Sequence, residues 1–211
     1  MTEKNSNRGE EILRAAENVF VAHGYAAATM DQVAADAGIS KGSLYNYFEG
    51  KEDLFTKLCH SCLDEDQAEV ERRLGSDDSA ADKLDWLLEH WYRIRQDYRQ
   101  LSSLIMEFWA TAARQGQSGK MKEVFKEKTT FWIRHIEAIL RQGVASGEFR
   151  PSLDVEVATR MLLAIADGVN IQEIFDIGLN VDREFFDRLK KSIMLGLTPE
   201  PNEPQHVKGN Q

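Results

Sequence analysis

The sequence predicts an all-α fold, and three observations carry that expectation. Apolar residues recur at helical spacing through most of the 211 residues. No stretch alternates apolar and polar residues over the length of a strand. The four prolines also stand clear of every helical stretch: Pro151 falls in a connection, and Pro199, Pro201 and Pro204 fall in the C-terminal tail.

Each helix can be justified in turn. Ile12, Ala16, Val19 and Phe20 recur at i, i+4, i+7 and i+8, the stripe of an amphipathic helix from about Arg8 to His23. Gly24 follows at the C′ position. Thr29 is placed as an N-cap, and Gln32 three residues on completes a capping box. The helix they start turns Met30, Val33, Ala34 and Ala37 inward and stops at Gly38. After the Ala37-Gly38-Ile39 turn, Ser40 caps a short third helix, roughly Lys41 to Tyr47. Gly50 precedes Lys51-Glu52-Asp53, whose carboxylates suit the dipole of a first turn. A long fourth helix then runs through Leu54, Leu58 and Cys62 to about Leu74. The polar "GSDDSAAD" (Gly75 to Asp82) interrupts the pattern. Beyond it come helices at about Ala80–Gln96, Tyr98–Ala113, Met121–Ser146, Val155–Gly178 and Asp182–Leu197. The tail from residue 199 to 211 reads as disordered. The division expected is 1–52, 53–198 and that tail.

Composition narrows the class of protein. Mean hydropathy is −0.45, and no apolar run approaches the ~20 residues that span a bilayer, so no membrane partner is expected. The first residues, "MTEKNSNRGEEIL", hold no apolar signal core, and Cys59 and Cys62 make no disulfide framework. Both point to the cytoplasm. The formal net charge of −9 argues against a protein that coats nucleic acid over its whole surface. It leaves room for a local site, because salt screens charges beyond roughly 8 Å.

Thr29 to Phe48 has the form of such a site. Two short helices joined by a glycine-containing turn match a helix-turn-helix, whose second helix enters the major groove of DNA. Leu44 and Phe48, at i and i+4, share the face that packs inward, so Lys41, Ser43, Tyr45 and Tyr47 cannot all be core. Gly42 lets backbone approach a ligand closely, where a plain helix would favour alanine. Lys41 can reach guanine O6/N7, and Ser43 suits either base type. The hydroxyls of Ser40, Tyr45 and Tyr47, the Asn46 amide and the Lys51 ammonium suit phosphate oxygens. Thr29 and Lys51 sit at helix N-termini that favour an anion. The alternative is an all-α small-molecule-binding or protein-interaction module whose hairpin is purely structural.

The segment "TMDQVAADAGISKGSLYNYFEGKEDLF" (Thr29 to Phe55) resembles the DNA-binding signature of the TetR family of bacterial transcriptional regulators. The preceding "ILRAAENVFVAHGYAAAT" (Ile12 to Thr29) is similar to that family's first helix and Gly-Tyr turn. The likeness is specific over about Arg8 to Leu58. Further on, "GVASGEFRPSLD" (Gly143 to Asp154) and "LLAIADGVNIQ" resemble a broad group of C-terminal domains that includes choline- and multidrug-responsive members. The resemblance implies an N-terminal three-helix DNA-binding domain joined by a long fourth helix to a larger helical ligand-binding and dimerisation domain. It implies a ligand-responsive repressor that binds a pseudo-palindromic double-stranded DNA operator as a homodimer and is released by a small-molecule effector. It places Lys41, Gly42, Ser43 and Tyr45 at bases or the adjacent backbone, and Thr29, Ser40, Asn46, Tyr47 and Lys51 at phosphates. The Asn46-Tyr47 pair departs from the tyrosine-histidine or double tyrosine of many relatives. Glu49, a carboxylate near the DNA backbone, is expected to point into solvent.

In the second domain the last two helices supply apolar stripes for a dimer interface. Met161, Ile165 and Gly168 stand on one, and Phe185, Leu189 and Ile193 on the other. An effector pocket is expected among Trp86, Glu107, Phe108, Trp109, Trp132, His135 and Asn170. Aromatic walls with the Glu107 carboxylate would suit a cation. Cys59-His60-Ser61-Cys62 has C-x-x-C spacing without the second ligand pair of a zinc site. No nucleophile motif or phosphate loop is present, so no catalytic residue, metal or cofactor is expected, and the protein is not expected to be an enzyme.

Overall fold

In a computed structural model of the chain, residues 3–64, 67–97, 102–114, 119–175, 178 and 180–199 are described. Among them there are ten α-helices and no strand. In order these are α1 (Glu3–Ala27), α2 (Met30–Asp36), α3 (Lys41–Tyr45), α4 (Lys51–Asp64), α5 (Gln67–Leu74), α6 (Ala80–Asp97), α7 (Ser102–Arg114), α8 (Lys120–Ser146), α9 (Val155–Ile174) and α10 (Arg183–Leu197). The tail beyond residue 199, where disorder was expected, lies outside the described residues. No helix described is long and apolar enough to cross a membrane.

The expected starts are kept where a side chain caps the helix. Thr29 and Gln32 form both halves of the capping box, and Ser40, Asp154 and Asp182 each accept from a backbone N–H in the first turn of α3, α9 and α10. Ends differ more. The third helix stops at Tyr45 rather than Tyr47. Gly24 breaks α1 with φ 72° and ψ 162°, a conformation that only glycine adopts readily. The expected long fourth helix is divided into α4 and α5, and residues 65–66 between them lie outside the described set.

The chain forms two compact units. The first holds α1–α4, α7 and α8 up to Thr129; the second holds α5 from Glu69, α6, the rest of α8, α9 and α10. Within the first, α1 packs against α2, α4 and α7. Its core gathers Ile12, Ala16, Phe20, Val33, Leu44, Leu54 and Phe55, with Leu104 and Ala112 of α7 and Met121 of α8. In the second unit Leu84, Leu87, Ile136, Ile139, Leu140, Phe149, Leu162 and Phe186 form a separate core. The Phe149 ring lies against Gly143, where no side chain could fit without displacing it.

Candidate nucleic-acid interface

The α2–turn–α3 segment is assembled by short-range rules. Gly38, at φ 64°, closes the turn: its N–H bonds Ala35 O at 3.2 Å, and Ile39 N–H bonds Ala34 O at 2.9 Å. Ser40 then caps α3, its hydroxyl accepting the Ser43 N–H at 3.1 Å. Leu44 and Phe48 are buried in the first core and fix the rotation of the helix about its axis. Lys41, Gly42, Tyr45 and Asn46 are left exposed, with Tyr45 at 47%. A Cβ at Gly42 would meet nothing nearer than the Ser40 hydroxyl at 3.9 Å. The protein itself does not require glycine there, so the bare backbone is free for something outside it.

The polar atoms of this face are already engaged with one another. Lys41 Nζ pairs with Asp31 Oδ2 of α2 at 3.0 Å, and that hydrogen bond raises the Lys41 pKa. Both side chains are more than half exposed, so the pair is worth little in stability. Ser40 and Ser43 hydroxyls lie 2.8 Å apart. Thr29 is held by Gln32, whose Oε1 accepts both the Thr29 N–H at 2.8 Å and its hydroxyl at 2.9 Å. Tyr47 is half-buried and packs against the first core, so its ring is less open than those of its neighbours in sequence. Glu49 is exposed and pairs with Lys120 at the start of α8, 3.0 Å away, rather than extending into solvent alone.

Lys51 departs most from expectation. Its ammonium donates to the carbonyls of Tyr25, Ala26 and Ala28 at 2.8, 3.0 and 3.0 Å, which uses all three of its protons. It also lies over the Tyr25 ring, 4.8 Å from the centroid. The cause is the end of α1 at Ala27, beyond which no helical N–H groups follow to bond these carbonyls. The same turn is bound on its N–H side: Glu107 Oε2 of α7 accepts from Tyr25 N at 2.5 Å.

Glu107 is thereby set apart from the other residues expected around an effector. It stands in the first unit, as does Trp109, whose ring meets Phe125 edge-on. The Phe108 side chain lies outside the described ones. Trp86, Trp132, His135 and Asn170 belong to the second unit. There His90 stacks on Trp86 at 4.7 Å, and Trp132 meets both Trp91 and Phe131 edge-on. Asn170 is half-buried on α9. Of the interface residues, Met161 is 58% exposed while Ile165, Gly168, Phe185, Leu189 and Ile193 are half-buried. Val157 and Leu195 add further exposed apolar area on the same two helices. Asp31 was not singled out in the sequence and Tyr25 entered only as part of the Gly-Tyr turn; no spacing rule points to the contacts of either.

Comparisons with known proteins bear on the family and the fold. The family "Bacterial regulatory proteins, tetR family" matches residues 12–58, and "BetI-type transcriptional repressor, C-terminal" matches residues 80–184. The HTH-type transcriptional repressor KstR2 of Mycolicibacterium smegmatis is 30% identical over 167 residues, covering 74% of this chain and 75% of that protein. A TetR transcription regulator from Haloarcula marismortui superposes with a TM-score of 0.78 at 22% identity, over 91% of this chain and 98% of that one. FadR from Bacillus subtilis, in complex with stearoyl-CoA, gives 0.69 at 23% identity, over 88% and 95%. These two structures share the fold.

Proposed function

The chain belongs to the TetR family of bacterial regulatory proteins, and from that premise we propose a residue-level account of how it holds DNA. It is a ligand-responsive transcriptional repressor that binds operator DNA as a homodimer. Residues 1–52 act as the DNA-binding head and 53–198 as the effector and dimerisation domain, in the cytoplasm and without catalysis.

The observation that carries the account is the split of α3 into a side anchored by buried Leu44, with Phe48 just beyond the helix, and an open side outside the core cluster. On the open side, Lys41, Gly42, Ser43 and Tyr45 face base edges or the adjacent backbone. Thr29, Ser40, Asn46 and Tyr47 hold phosphates on the flanks. Lys41 leaves Asp31 for guanine when DNA arrives. Lys51, with its protons spent on three carbonyls, acts first as a clip on the α1–α2 turn; a phosphate contact comes second. Two copies joined through the apolar faces of α9 and α10 present two such helices to successive major grooves.

The effector belongs among the half-buried aromatic and polar groups of the second unit, Trp86, Trp132, His135 and Asn170. The Glu107 carboxylate answers a backbone N–H of the head, so a cation paired to it is no longer favoured. Both α5 and α8 contribute residues to each unit, which gives an effector two continuous helices through which to bias the head. It must bind the non-DNA state more tightly to have any effect.

Selection of bound duplexes from a random pool tests the account. A half-site repeated as a pseudo-palindrome is expected. Lys41→Ala should cost ~1–3 kcal/mol and relax preference at one base position per half-site. If the protein enriches no sequence at low salt, the account is abandoned.

A further inference from the structure

A cleft of about 220 Å³ opens in the second unit between α5, α6 and α8, with Glu71, Lys83, His135, Ala138, Ile139 and Gln142 among its walls. Lys83 is the unusual member. It is only 6% exposed, yet its ammonium has one acceptor among the described residues, Gln142 Oε1 at 2.9 Å. The amide orientation is set by the other end of Gln142, whose Nε2 donates to the Asp78 carbonyl at 2.9 Å. No carboxylate among the described residues lies within ion-pairing distance of Lys83. A largely buried cation whose one acceptor among the described residues is neutral leaves its charge facing the cleft. An anion in the cleft would pair with that charge.

His135 lines the same cleft, where its Nδ1–H is already given to the Phe131 carbonyl at 2.8 Å, so the donor for an anion is Lys83. Ile139 supplies an apolar wall. The cleft has room for about seven waters at ~30 Å³ each, which limits the occupant to a small molecule. Glu71 stands on the same lining, near Arg134, and opposes a doubly charged ligand.

We propose that this cleft binds a small monocarboxylate, its charge paired to Lys83 and its apolar body laid against Ile139. This deepens the effector reading, on which it rests, by giving the effector a chemical class.

The test is thermal melting of the full chain at constant ionic strength. The probes are sodium propionate and sodium benzoate, with the uncharged amides of both and inorganic phosphate as comparisons. At 10 mM (roughly tenfold above a millimolar Kd), at least one carboxylate is expected to raise Tm by about 3 °C, saturably, with no such rise from the amides or phosphate. Lys83→Met keeps the buried stem, removes the charge and should abolish the rise. Ala138→Trp fills the exposed mouth without touching Lys83 and should abolish it too, which decides the matter if Lys83→Met does not fold. No carboxylate-specific rise in the parent protein, or a rise that survives either substitution, overturns the proposal. Operator binding by the unliganded protein, read in the same samples by fluorescence anisotropy, tests the regulator reading separately. Its absence would sink that reading while leaving the melting result to stand.

Discussion

Three carbonyls and an aromatic ring surround the Lys51 ammonium, and that environment separates two roles a lysine at a helix start can have. A phosphate contact contributes to the salt dependence of DNA binding. A carbonyl clip contributes to the order of the head. Hydrogen bonds from a charged donor are worth about 1.5–3 kcal/mol each at most. Lys51→Met is therefore expected to destabilise the head by about 2 kcal/mol in thermal melts and to weaken binding to all duplexes alike. The slope of log affinity against log salt should stay unchanged. A slope flattened by about one unit would restore the phosphate role. Lys41 is the contrasting case: its partner Asp31 is another exposed side chain, so little is lost when it turns to a base.

The helices themselves were legible where their signals are short-range. Thr29 with Gln32, Ser40 with Ser43, and Leu44 with Phe48 each span three or four residues, and all behave as expected. Gly42 is the element-scale test of what α3 is for. Inside the protein a methyl group there would be harmless, and alanine improves helix propensity by about 0.5–1 kcal/mol. Gly42→Ala should therefore raise the melting temperature slightly while weakening operator affinity at least tenfold, measured by anisotropy. Loss of both stability and affinity would mean that the glycine serves the fold. Gly24 has the opposite logic. It holds a positive φ, and a Cβ there would press on Glu107 Oε1 at 3.3 Å, so its small size is needed within the chain.

At the scale of the molecule, stability in acid and assembly into a dimer are the informative quantities. Arg183 and Lys190 of α10 bond the Glu89 carboxylate of α6. Led by the Arg183 hydrogen bonds, they pull its pKa from 4.5 down to about 2. Because the folded value is depressed, this contribution is fully present above about pH 4.5 and is lost as pH falls toward 2. After allowance for solvent screening, Glu89→Gln should cost on the order of 1 kcal/mol at pH 7. The gap to the parent protein should close between pH 4.5 and 2 in urea titrations; a gap independent of pH would rule the network out as its cause. Met161→Glu places a charge on the exposed apolar face of α9. Sedimentation should show monomers, and operator affinity should collapse, because one head covers one half-site. A dimer that persisted would move the interface elsewhere.

Local pattern sufficed for the all-α class, the capped starts of α2 and α3, and the division of α3 into a packed and an open side. Each of these is decided within about one turn of helix, where spacing and side-chain chemistry act directly. The partners of the charged groups were not legible in that way. Lys51 reaches back 23 to 26 residues, Lys41 reaches 10, and Glu107 meets Tyr25 across 82. No periodicity encodes such distances. For Lys51 and Glu107 they arise because the turn at Gly24 and the end of α1 expose backbone groups that must be satisfied, and packing brings α4 and α7 to them. So the same carboxylate that reads as a ligand counter-ion within "LIMEFWA" becomes, once the chain is folded, the acceptor for an unpaired N–H of the head.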